Sequence, residues 1–117
     1  MTLSEFQNRY YMHDSYFDSI EYNESEKSVD MIINFAYWMQ EWYEDGKPEN
    51  GLLSCSFYDV SIYDYSGDEI DYNMVSILKT EVADNTIVFA LGDDINDEYY
   101  ELKITAKSVQ VKEYIEG

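Results

Sequence analysis

Between Ser28 and Trp38 an apolar side chain takes every odd position: Val29, Met31, Ile33, Phe35 and Tyr37 stand against Asp30, Asn34 and Ala36. Successive side chains of a strand point to opposite faces, so this spacing predicts a β-strand with one buried face. Ile32 and Trp38 interrupt the polar face, which is therefore expected to be partly covered. A strand of this kind needs partners, and the rest of the chain supplies them.

In the run Tyr16 to Tyr22, Phe17 is opposite in parity to Tyr16, Asp18 and Ile20, and Asn23-Glu24-Ser25-Glu26-Lys27 reads as a hairpin turn into the next strand. Leu53, Cys55 and Phe57 alternate, whereas Val60 and Ile62 take the other parity. One extra residue near Tyr58-Asp59, a β-bulge, would account for the switch. Ile87, Phe89 and Leu91 alternate after Ala83-Asp84-Asn85, a hairpin turn from a strand ending near Val82. Tyr100, Leu102, Ile104 and Ala106 alternate in turn, and after Lys107-Ser108 the parity flips to Val109 and Val111. That flip predicts a bent strand or a short hairpin.

The segment Ile70 to Thr80 fits two patterns. Ile70, Met74, Ile77 and Leu78 have helical spacing, while Ile70, Tyr72, Met74 and Leu78 have strand parity; the strand is the preferred reading. Only the N-terminus is helical in pattern. Ser4 with Gln7 matches a capping box, and Phe6 and Tyr10 share one face, enough for about two turns before His13. Six or seven strands and one short helix predict a mainly-β single domain over residues 1–117. The expected architecture is an antiparallel β-sandwich or partly open barrel, with the helix as a minor α+β element.

Charge decides which partners such a domain can have. The chain carries 25 acidic residues against 7 Lys and Arg, a net −18. High charge with low hydropathy is the signature of disorder, but 13 Tyr, 5 Phe and 2 Trp supply material for both a core and an aromatic surface. Nucleic-acid duplexes and anionic lipids are bound through Lys and Arg that displace counterions, so neither direct nucleic acid nor membrane binding is expected. The longest apolar stretch, Met31 to Met39, has about half the length needed to cross a bilayer. Cys55 is the single cysteine, and the first residues lack the basic region and apolar run of a signal peptide; both fit a cytoplasmic protein.

The acids concentrate between residues 41 and 101, which hold 16 of them and only 2 bases. Thirteen of the 16 form three runs at Gly- or Pro-marked connections: Glu41, Glu44, Asp45 and Glu49; then Asp64, Asp68, Glu69 and Asp71; then Asp93, Asp94, Asp97, Glu98 and Glu101. Trp42 and Tyr43 lie inside the first. An aromatic anchor ringed by carboxylates is the composition of a surface that steers a cationic protein and then packs against it. The expected partner-binding set is therefore Glu41, Trp42, Tyr43, Glu44, Asp45, Asp64, Asp68, Glu69, Asp71, Asp93, Asp94, Asp97 and Glu98.

Other chemistry is weakly represented. His13-Asp14-Ser15 has the letters of a hydrolase triad, but a triad converges from separate places around one proton path. Neighbours in an extended chain diverge, so a structural turn is expected there, with Asp14 or Ser15 bonding backbone groups. Asp94-Ile95-Asn96-Asp97-Glu98 begins like a calcium loop, but Tyr99 stands at the glycine position and Thr105 at the twelfth, where a bidentate Glu belongs. One His and one Cys do not make a zinc set. Cys55 shares an apolar face with Leu53 and Phe57 and is expected to be an inert core thiol. No catalytic residue, metal or cofactor is assigned, and an enzyme is not expected.

Tyr11-Met12-His13-Asp14-Ser15 before a strand, the strand end at Asn34 to Trp38, the kinked strand Leu53 to Ile62 and the closing segment Leu102 to Val111 together span most of the chain. In this arrangement it resembles the small acidic β-rich immunity proteins that bacteria carry beside secreted or contact-delivered toxins. The resemblance implies tight, neutralising binding to one cognate toxin, often a basic nuclease. A second reading, from another class, is a nucleic-acid mimic of the anti-restriction or anti-CRISPR type, whose carboxylates would occupy a groove built for phosphates. A third is a small β-sandwich enzyme or ligand-binding module.

Overall fold

In the computed structural model, which describes residues 1–67, 70, 74–93 and 95–114, the odd residues of the central strand are all buried. Val29, Met31, Ile33 and Phe35 keep no more than 1% of their surface, while Asp30 and Asn34 are exposed. The strand ends at Ala36, and Tyr37 begins a 3₁₀ turn that still points its ring into the core.

Eight strands are present among the described residues. A short helix α1 (Leu3–Arg9) is followed by β1 (Tyr16–Asn23), β2 (Ser28–Ala36), β3 (Asn50–Tyr58) and β4 (Ile62–Tyr65). Then come β5 (Val75–Ala83), β6 (Thr86–Asp93), β7 (Glu98–Thr105) and β8 (Ser108–Tyr114). They form two antiparallel four-stranded sheets in the orders β1-β2-β3-β8 and β4-β7-β6-β5, not closed into a barrel and consistent with a sandwich.

The two parity breaks read from the sequence are one structural feature, and they explain why eight strands replace the six or seven expected. β3 passes into β4 and β7 passes into β8 side by side, so both leave one sheet and enter the other at the same corner. Lys107 donates its backbone N–H to the carbonyl of Tyr58 at 3.1 Å and Ser61 donates to Thr105 at 2.9 Å, carrying the pairing around the bend. Asp59 adopts the left-handed conformation, φ 55°, and the inserted residue turns Val60 into the core. Ile62, expected to share that inward parity, is instead exposed, because β4 has already changed sheets.

β1 lies across the second sheet. Ser15 bridges to Ile77 on β5, Phe17 packs edge-on to Phe89 of β6 at 5.4 Å, and Tyr22 stacks on Tyr63 of β4 at 4.7 Å. Since β5 and β4 are the two edges of that sheet, β1 crosses its whole width. The free edge of β1 carries a bulge at Asp18 and the charges of Asp18 and Glu21, both of which oppose pairing with another strand.

The core is threaded by aromatic rings, each within 4.9 to 6.5 Å of the next: Phe17, Phe89, Phe57, Phe6, Tyr10, Phe35, Tyr37 and Trp42. Tilted and edge-to-face contacts of this kind add about 0.5 to 1.5 kcal/mol each beyond area burial. Much of the aromatic content that offsets the −18 charge is thus spent inside.

Three local expectations need correction. The helix is capped by Thr2 and Glu5, not Ser4 and Gln7: Glu5 N–H donates to Thr2 Oγ1 at 3.1 Å and Thr2 N–H donates to Glu5 Oε1 at 2.9 Å. Gln7 reaches across to the carbonyl of Thr80 instead. In β5 the inward residues are Val75 and Ile77, not Met74 and Leu78. A bulge at Leu78 shifts the register and sets that side chain over Gly92, whose missing Cβ leaves room for it. The expected residue Tyr72 lies outside the described residues. Finally, His13 and Asp14 do not diverge: Asp14 is left-handed, φ 65°, which brings its carboxylate to 3.5 Å from His13 Nε2.

Candidate interaction surface

The third acidic run occupies the β6–β7 connection, and its members differ in role. Asp93 is 6% exposed. Its carboxylate accepts hydrogen bonds from the Ile95 and Asn96 backbone N–H groups at 3.1 and 3.0 Å and from Asn96 Nδ2 at 2.9 Å. The Asn96 side chain, then its backbone amide, hold this carboxyl below the usual Asp range. Asp93 is therefore the staple of the turn rather than a free rim charge. Asp97 and Glu98 are exposed, as are Ile95 and Tyr99 beside them, and Glu98 accepts a hydrogen bond from the Tyr100 hydroxyl.

Of the second run Asp64 lies among the described residues, on β4, the edge strand beside the C-terminal half of β7. β4 ends at Tyr65 opposite Leu102, and Ser66 fastens it to β7: its N–H donates to the Glu101 carbonyl at 3.0 Å and its Oγ accepts from Glu101 N–H at 2.9 Å. Gly67 follows because two tyrosine rings leave no space for a side chain; a Cβ there would stand 2.9 Å from Tyr65 and 3.0 Å from Tyr100. Asp64 is exposed and pairs across the ladder with Lys103. Asp68, Glu69, Asp71 and Asp94 lie outside the described residues.

The first run is elsewhere, in the β2–β3 connection near the opposite edge strand, β5. Glu41, Glu44 and Asp45 are exposed, but Trp42 and Tyr43 are half-buried. The Arg9 guanidinium lies 4.0 Å over the Trp42 ring, Trp42 Nε1–H donates to the Arg9 carbonyl at 3.1 Å, and Tyr37 meets the ring edge-on. Tyr43 donates its hydroxyl to the Lys47 carbonyl at 2.7 Å. A groove of about 690 Å³ opens here between α1, residues 39–42 and Lys79-Thr80 of β5, and both of its glutamines are committed: Gln40 bonds the backbone of Tyr11 and Ala36, and Gln7 that of Thr80.

The outward face of the second sheet mixes both signs, with two lysines set among three acids. Glu81, Val88, Lys103 and Asp64 form one ladder row, and Lys79, Ala90 and Glu101 form another. Lys79 reaches Glu81 at 2.7 Å. Lys103, placed outside the acidic segment by sequence, is returned by pairing to its middle.

The first sheet's outward face offers what sequence reasoning missed. Tyr16, Asn34 and Leu52 stand side by side in one row, with Ser19, Ile32 and Ser54 in the next. Tyr16 and Leu52 are 48% and 42% exposed, and Trp38, at the end of this sheet, is 46% exposed. The signal was present in the even positions Ile32 and Trp38, which mark an apolar outer face.

The remaining chemistry-bearing side chains serve the scaffold. Ser15 Oγ is buried and accepts the Ala36 N–H at 3.0 Å, and His13 Nδ1 lies 3.0 Å from the Leu78 carbonyl. Cys55 is buried, which pushes its thiol pKa up and away from thiolate chemistry. Among the described residues no three His, Cys, Asp or Glu are grouped to hold a metal, and no helix is long and apolar enough to cross a membrane. No family model, curated protein or solved structure matches this chain.

Proposed function

We propose that this chain is an acidic interaction protein of the cytoplasm that binds and neutralises a basic protein, in the manner of an immunity protein against a bacterial toxin. The supporting observation is that the β6–β7 connection presents Asp97 and Glu98 exposed on a turn that the Asp93 carboxylate holds in place, with Asp64 exposed on the edge strand β4 of the same sheet. Carboxylates on a turn already fixed by hydrogen bonds need little further ordering on contact, and their summed field accelerates encounter with a cation. The lysines set among Asp64, Glu81 and Glu101 favour a shaped protein contact over the nucleic-acid mimic, whose acids should form unbroken phosphate-like rows.

Capture of the partner from the source organism, followed by stopped-flow association across a salt series, tests this. The partner should be basic, and association should slow steeply with ionic strength. Replacing Asp64, Asp97 and Glu98 by their amides should lower the association rate roughly tenfold and flatten that dependence, with dissociation little changed. A neutral or acidic partner, or association indifferent to salt, overturns the proposal.

A further inference from the structure

We propose that the anchoring contact for the cationic partner is the outward face of the β1-β2-β3-β8 sheet, where β2 ends and β3 begins, rather than Trp42 or the acidic loops. This rests on the reading of a basic protein partner and assigns it a surface.

That face is graded. Its first row presents Tyr16, Asn34 and Leu52, its second Ser19, Ile32, Ser54 and, on β8, Lys112, and its third Glu21, Asp30, Ser56 and Gln110. Trp38 lies at the apolar end, its N–H bonded to the Glu49 carbonyl at 3.0 Å, which ties it to the start of β3. An exposed Trp and Tyr stand beside Leu and Ile, with small serines in the next rows and Lys112 at the β8 side. With the carboxylates of Glu21 and Asp30 along the far margin, the latter accepting from Ser56 Oγ at 2.6 Å, the face has the anatomy of a hot spot with a charged rim.

Two features identify the occupant. Glu21 and Asp30 stand directly opposite each other across the β1–β2 ladder, both exposed, an arrangement that destabilises a sheet in isolation. A cation above them relieves it. The net charge of −18 repels a second copy of this chain and an anionic membrane alike, so the fitting occupant is a protein surface with apolar side chains flanked by Lys or Arg. Contact through side chains is favoured over strand addition, because the bulge and charges on the edge of β1 oppose pairing.

Trp42 is a poor anchor by the same physics. Arg9 covers its face, Tyr37 its edge, and its N–H is already donated.

The test uses the intact chain, ¹⁵N-labelled, titrated with two short peptides of equal charge. One carries paired lysines on each side of a Leu-Trp-Leu centre, the other the same lysines around a Ser-Ser-Ser centre. The apolar-centred peptide should bind about tenfold more tightly, with amide shifts concentrated at Tyr16, Ile32, Leu52 and Trp38. Trp38→Ala and Leu52→Ser, each checked for an unchanged melting temperature, should separately remove most of that advantage. Equal affinity for the two peptides, or shifts confined to residues 64–67 and 95–98, overturns the anchor and leaves the basic-partner reading intact. Failure of both peptides to bind at low salt overturns both.

Discussion

Trp38 and Trp42 are four residues apart in the chain and stand in opposite circumstances. Trp42, set among acids, closes the line of rings that runs through Phe35 and Tyr37, and Arg9 is laid over it. Trp38, on the apolar side of a strand end, is the one that faces outward. Acidic neighbours thus say little about whether an aromatic ring is free. A connection can fold back and bury its ring, whereas in the 3₁₀ turn after β2 Tyr37 takes the core position and leaves Trp38 at the surface.

The contrast can be broken from beneath. Phe35 touches Tyr10 and Tyr37 and supports the Trp42 side, so Phe35→Ala should destabilise by roughly 3 to 5 kcal/mol in urea unfolding. A change under 1 kcal/mol would mean that the line of rings is not cooperative. Trp42→Ala comes next: a half-buried ring with a cation on its face should be worth about 2 to 3 kcal/mol. Loss of stability there, with partner dissociation unaltered, would separate structure from binding.

The acidic residues repeat the distinction. Asp93 is to its loop what Trp42 is to the β2–β3 connection. Its folded carboxyl lies below the ordinary Asp value, so over that interval the unfolded chain binds more protons and stability drops as pH falls. Relative to Asp93→Asn, the wild type should be more stable above about pH 4, the ordinary Asp value. The difference should fade as pH descends through the depressed folded value; paired urea titrations at neutral pH and near pH 3 check it. Glu21 is the reverse case, a charge the fold does not need. Glu21→Gln should stabilise by about 0.2 to 1 kcal/mol at low salt, and by less when salt screens Asp30.

Smallest of all should be Trp38→Ala, within about 0.5 kcal/mol of the wild type in a thermal or urea melt. A loss as large as that of Trp42→Ala would place Trp38 in the scaffold and erase the contrast.

Period-two spacing located β2, β3, β6 and β7 and the inward set Leu53, Cys55, Phe57, because burial on one face of a strand leaves a signal in every second residue, and turn-forming residues marked the hairpins at 23–27 and 84–85. It also marked both bends, since each parity reversal must be absorbed by an extra residue. It could not show that the reversals near Asp59 and Lys107 are one corner, because that depends on β3 and β8 being neighbours, a pairing of residues about fifty positions apart. The inward face of β5 was misread for a related reason: the bulge at Leu78 is set by its fit over Gly92 on the adjacent strand.

Charge and composition by themselves determined that any partner must tolerate a net −18, and residue parity determined a mainly-β fold with its central core strand. Only the tertiary structure decided which acids and aromatics are available for contact. Pairing returned Lys103 to the acids, a turn consumed the Asp93 carboxylate, a cation covered Trp42, the pleat left Tyr16 and Leu52 outward, and the 3₁₀ turn after β2 left Trp38 exposed. Parity and charge are properties of neighbours along the chain, so they are written locally; availability is what remains after distant residues have met, and it exists only once they have.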